Sequence, residues 1–188
     1  MRRIISVIES LPKWCGLSVI LAYSLLLAKF FLTITHSALN SSLLENNLIS
    51  IFIKISYSIT VLSGIVIWIV MTFLFHLTAL LFNGNAQFKR FLFVAAYPYI
   101  VPVVMILIGL FLLNGVQIDH TKDVAVELAN NASFKLAMNL INFSFIPYYI
   151  IIAILIRYVY QINFLKALAS VVIPIAGVWN ITELIKLI

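Results

Sequence analysis

Apolar residues run along this chain in five long blocks, at about Trp14–Thr35, Ile51–Phe82, Phe91–Leu113, Leu140–Tyr160 and Phe164–Ile188. A helix needs about 20 such residues to cross the hydrocarbon layer of a membrane. Backbone N–H and C=O groups find no partner in lipid, so a crossing segment must be a helix or a strand of a closed barrel. Barrel strands alternate apolar and polar positions, and these runs do not. The pattern predicts an all-α integral membrane protein with five transmembrane helices. Ahead of the first block, Ile4, Ile5, Ile8 and Leu11 recur at helical spacing, with Arg2, Arg3, Glu9 and Lys13 between them. Residues 1–13 are therefore expected to form a short amphipathic segment in the interface, with Trp14 at headgroup depth. Residues 14–188 are expected to form one five-helix domain. Glu9, Pro12 and Lys13 interrupt what would otherwise read as a cleaved signal peptide.

Composition agrees. Of the 188 residues, 64% are hydrophobic and 10% charged. Soluble domains average about 45–50% apolar and about 25% charged residues. A soluble globular enzyme is excluded on both counts, and disorder on the first. The net charge of +6 then bears on orientation rather than on nucleic acid, which is not expected as a partner. Arg2, Arg3, Lys13, Lys89, Arg90, Arg157 and Lys166 fall on one side of the threading. Lys54, Lys122, Lys135 and Lys186 fall on the other, together with Glu45, Asp119, Asp123, Glu127 and Glu183. Lys and Arg concentrate in short cytoplasmic loops, which puts the N-terminus in the cytoplasm and, after five crossings, the C-terminus outside. The inner loops are tight, at about Asn83–Arg90 and Gln161–Asn163, so the second and third helices pair, and so do the fourth and fifth. The long outer loop, Asn114–Asn139, mixes Val124, Leu128 and Leu136 with acidic residues, and a partly helical surface segment is expected there.

Little in the sequence points to chemistry. HExxH, GxSxG, the P-loop and GxGxxG are all absent. His36, His76 and His120 fall at different depths, whereas zinc needs converging ligands. Cys15, the single cysteine, forms no internal disulfide. No catalytic residue, metal or cofactor is expected. Ionisable residues inside a membrane are costly and are functional candidates by default. Lys29, deep in the first span, is either a substrate or proton pathway residue, with Glu183 a conceivable partner, or a lysine whose stem carries its ammonium to the surface. His76 is either a pH-sensitive group or a hydrogen-bonding residue in a packing contact. Glu183 and Lys186 stand three apart and can pair. Pro98, Pro102, Pro147 and Pro174 interrupt the last three spans, where each removes an N–H and frees a carbonyl four residues back. Those carbonyls either line a polar cavity or are absorbed in a bent, packed bundle.

The stretch from His76 to Pro102, HLTALLFNGNAQFKRFLFVAAYPYIVP, reads as a helix end, a turn and a new helix. Asn83-Gly84 is a turn dipeptide that tolerates positive φ. Phe88 can anchor in the interface, and Lys89 and Arg90 meet anionic headgroups. Asn83, Gly84, Phe88, Lys89 and Arg90 are accordingly the candidate inner-surface contact. With Tyr97, Pro98 and Pro102, and with the basic loop and Pro174 of the second half, the stretch resembles the Yip (Ypt-interacting protein) family of five-span membrane domains over roughly residues 50–188. The resemblance is to its short bacterial members, because few residues precede Trp14; it does not extend to GTPase binding. It implies a non-enzymatic scaffold or accessory subunit, multi-pass in a bacterial cytoplasmic membrane. Such a protein would meet membrane lipids and other integral membrane proteins, transporter subunits among them, in transport or in envelope-stress and antimicrobial-peptide resistance. Self-association is a further expected contact. The rival reading is a small transporter or lipid-handling protein that uses Lys29 and the proline-bearing helices.

Overall fold

A computed structural model describes residues 11–39, 47–114, 116 and 124–186. Most of the expected amphipathic segment 1–13 lies outside the described residues, as do Glu45, Asp119, His120, Lys122 and Asp123. All described elements are helical: α1 (Lys13–Ala38), α2 (Asn47–Leu81), α3 (Phe88–Val94), a 3-10 turn (Tyr97–Tyr99), α4 (Ile100–Leu113), α5 (Val124–Asn130), α6 (Ala132–Val159) and α7 (Phe164–Lys186). Among the described residues, five segments are long and apolar enough to cross a membrane: α1, α2, Phe88–Leu113, α6 and α7. The five-span expectation thus holds as a count of helices. The helical stretch expected in the long loop is α5, and α6 begins at Ala132, earlier than the apolar run suggested.

Local chemistry explains where the helices start and stop. Asn131 and Asn163 cap α6 and α7. Their Oδ1 atoms accept the N–H groups of Phe134 (3.0 Å) and Lys166 (2.8 Å), which are orphan donors of the first turn. The helix of the third span is interrupted just before Pro98, as the sequence suggested. Pro98 sits in the 3-10 turn, and Pro102 is the third residue of α4, where no intrahelical N–H is required. Pro147 and Pro174 lie inside continuous helices. Polar side chains within the apolar helices mostly bond their own backbone one turn back, as Thr33 does to Lys29 O (2.9 Å) and Thr60 to Ser56 O (2.8 Å). In this way they enter an apolar environment without an unmet donor.

The chain forms two compact units. The first comprises Met1–Ser18, Val66–Pro98 and Pro147–Ile188. Its core is aromatic, with Phe75, Phe91, Tyr148 and Tyr160 buried. The start of α1 packs on α3 through Gly16, where a Cβ would come within 3.0 Å of Phe93 O and 3.3 Å of Ala96 Cβ.

The second unit comprises Val19–Ile65 and Tyr99–Ile146. Tyr23 meets the edge of Tyr99 at 4.8 Å between centroids. Gly109 leaves room for Phe30, and Gly64 for Ser24. A Cβ on Gly64 would lie 2.6 Å from Ser24 Oγ, itself buried without a hydrogen bond. Small residues of this kind let membrane helices approach closely. Gly64→Ala is expected to lower stability by about 1–2 kcal/mol through overpacking. Adding Ser24→Ala should restore most of it, as read by unfolding in detergent micelles. The helix α2 has 35 residues, a length of about 52 Å against about 30 Å of hydrocarbon. It has turns to spare, and its first turns carry Ser50, Lys54, Ser56 and Ser58.

Candidate functional site

The turn after α2 is built by a carbonyl-satisfying helix stop. Asn83 has φ +63°. Its N–H bonds Leu80 O (2.9 Å), and the Gly84 N–H bonds Ala79 O (3.0 Å). That pair of bonds is the Schellman arrangement, with asparagine in the left-handed position usually held by glycine. Gly84 has no positive φ, contrary to the reason the dipeptide suggested. It is needed for room. A Cβ there would lie 2.7 Å from Ala79 O and 2.9 Å from Tyr160 Cβ. The turn after α6 mirrors it, with Gln161 at φ +57°. The Asn85 N–H donates to Tyr160 O at 3.3 Å, joining the two turns.

Tyr160 is the centre of this junction. Its hydroxyl lies 2.6 Å from His76 Nδ1, and the contact is buried. A phenol is protonated at neutral pH, and a neutral imidazole can donate or accept at Nδ1; either tautomer satisfies both atoms. Phe91 meets the Tyr160 ring at 5.2 Å and Phe88 meets the His76 ring at 5.3 Å between centroids. Phe73 closes on Phe88 at 5.6 Å. Two residues on from His76, the Thr78 hydroxyl donates to Ser170 O at 2.7 Å. Ser170 stands four residues before Pro174, so this is the carbonyl that the proline leaves free. The freed group is absorbed in helix packing rather than left to line a cavity.

The candidate contact residues therefore divide. Gly84 and Phe88 serve the junction: Gly84 makes room for Tyr160, and Phe88 covers His76. Asn83 makes the turn while remaining exposed. Lys89 and Arg90 are exposed and line a groove of about 360 Å³ with Lys13, Gln87, Phe93 and Tyr97. Lys13 Nζ stands 5.7 Å over the Phe93 ring, a cation–π contact that fixes its place on the wall. The Tyr97 hydroxyl points to Pro12 O at 3.5 Å. Sequence reasoning counted Lys13 as a topology signal and missed Gln87. Their approach to Lys89 follows from Gly16 packing on α3, which no local motif announces.

Of the ionisable candidates within the apolar runs, Lys29 is exposed in the second unit. Glu183 pairs with Lys186 at 2.7 Å. The pair is more than a third exposed and worth little to stability. Within the second unit, a cleft of about 500 Å³ between α1 and α2 is lined by His36, Lys54, Tyr57 and Ser58. Among the described residues, no three His, Cys, Asp or Glu side chains converge to hold a metal. Comparison with models of protein families, with curated proteins and with solved structures gives no match to this chain.

Proposed function

We propose that this protein is a non-enzymatic, Yip-like membrane scaffold or accessory subunit, threaded with its N-terminus and basic turns in the cytoplasm. It would hold other integral membrane proteins, or a second copy of itself, through helix faces and the inner turns. Transport assemblies and envelope-stress or antimicrobial-peptide resistance are the settings that fit the family resemblance. The observation that carries the reading is the second half of α7. From Ala176 to Lys186 nearly every residue is exposed, Trp179 and Ile185 among them. Gly177 has nothing within 4 Å of an added Cβ. A bare glycine and a polar Asn180 on an apolar helix suit close helix–helix contact in lipid.

A photo-crosslinking residue at Val178 or Ile181 in native membranes is expected to give a discrete protein adduct. The same residue at the exposed Phe111 serves as the comparison. Adducts with lipid alone at every α7 position would sink the scaffold reading. Lys89→Glu with Arg90→Glu should weaken partner recovery or shift the topology, as read by cysteine-accessibility mapping.

A second reading, a small lipid-handling or transport protein, is favoured by the cleft at His36 and Lys54. It calls for flux in liposomes. A Lys29-dependent flux would replace the scaffold reading.

A further inference from the structure

We propose that the groove beside α3 is a binding site for the phosphate of an anionic phospholipid headgroup. The proposal rests on the five-span membrane reading and not on the scaffold role. Three cations, Lys13, Lys89 and Arg90, line one groove. No carboxylate lines it among the described residues. Lysines meet a phosphate as compact point charges, and Arg90 adds positive charge to the same wall. Gln87 and Tyr97 supply neutral donors at the same wall. Two further features favour a lipid over a soluble phosphate. Lys13 opens the span Lys13–Ala38, and Lys89 and Arg90 lie in the first turn of the span Phe88–Leu113, so the cations gather where two candidate spans begin. The groove also has apolar walls, from Leu11, Phe93 and Val94, which suit glycerol and the first carbons of acyl chains. Lys13 and Lys89 lie 76 positions apart in the chain. Their meeting is a product of the Gly16 contact with Phe93 and Ala96, so the site is built by the fold and is not a run of basic residues.

The test uses the full chain, purified in mild detergent with equal phosphatidylglycerol and phosphatidylcholine, and native mass spectrometry of the retained lipid. Wild-type protein is expected to retain phosphatidylglycerol preferentially. Lys13→Gln, Lys89→Gln and Arg90→Gln together should reduce that preference about tenfold or more. Arg157→Gln with Lys166→Gln, basic positions outside the groove, should leave it intact. Matching unfolding midpoints establish that the variants fold. Should the triple variant not fold, Lys13→Gln and Lys89→Gln singly are each expected to lose about fivefold. Equal retention of both lipids by wild type, or equal loss in both sets of variants, overturns the site. Displacement of the lipid by millimolar inorganic phosphate reassigns it to soluble phosphate and overturns the lipid. Displacement by an acidic peptide but not by excess phosphatidylglycerol overturns it in favour of a protein segment. A protein that keeps its lipid preference yet gives no protein adduct fails the scaffold reading alone.

Discussion

Gly84→Ala is expected to destabilise the protein by about 2–3 kcal/mol, at the upper end of what overpacking costs. The size of the effect depends on whether the neighbours can yield. Ala79 O is backbone and already accepts the Gly84 N–H at 3.0 Å, so it cannot withdraw from a Cβ placed 2.7 Å away without breaking the helix stop. Tyr160 is held at both ends: its hydroxyl by His76 and its carbonyl by the Asn85 N–H. Relief must therefore part the two turns. The comparison is Gly177→Ala, an exposed helix position with open space for the methyl. There the change should be neutral or stabilising by up to about 1 kcal/mol, because alanine loses less backbone entropy than glycine. Reversible unfolding in micelles reads both. Equal stability of Gly84→Ala and wild type would show that the turns are not locked together.

Much of the fold was legible because its signals are local. Five apolar runs gave five helices long enough to cross a membrane among the described residues, as runs without the alternation of barrel strands imply. Asn83 in the left-handed conformation and the break before Pro98 each follow from a side chain acting within a few residues, whereas the Asn131 cap that starts α6 at Ala132 was not read, because the apolar run begins only at about Leu140. Glycine at position 84 was legible as a turn residue but for the wrong reason. Its neighbour Tyr160 lies 76 positions on, and steric exclusion across that separation leaves no trace in a single sequence. Thr78 was half legible. Pro174 predicts a free carbonyl at Ser170, but nothing in the sequence says that a hydroxyl from α2 will reach it. The candidate contact was limited in the same way. Lys89 and Arg90 could be read as a basic turn, whereas their convergence with Lys13 depended on Gly16 bringing α1 against α3.

Truncating Tyr160 should separate what holds the junction. Tyr160→Ala is expected to cost about 3–5 kcal/mol, the range for emptying an aromatic site in a core. It removes the ring that Phe91 meets edge-on and that fills the space above Gly84. Tyr160→Phe keeps the ring and removes only the hydroxyl that meets His76 Nδ1. Its cost should be nearer 1–2 kcal/mol, the penalty for a buried polar atom left without a partner. His76→Leu strands the phenol instead, at a similar cost. The double variant Tyr160→Phe, His76→Leu leaves neither atom unpaired, so its loss should fall short of the sum. Polar contacts between membrane helices have measured couplings of about 0.6 kcal/mol on average and up to about 1.7, because the unfolded chain in lipid finds other partners. A contact of 2.6 Å closed off by three phenylalanines belongs at the upper end of that range. A coupling near zero, with Tyr160→Phe as stable as wild type, would make the junction one of ring packing alone, with His76 and Tyr160 neighbours rather than partners. A coupling above about 1 kcal/mol would make the hydrogen bond the link that registers α2 against the turn after α6, and with it the placement of Lys89 and Arg90.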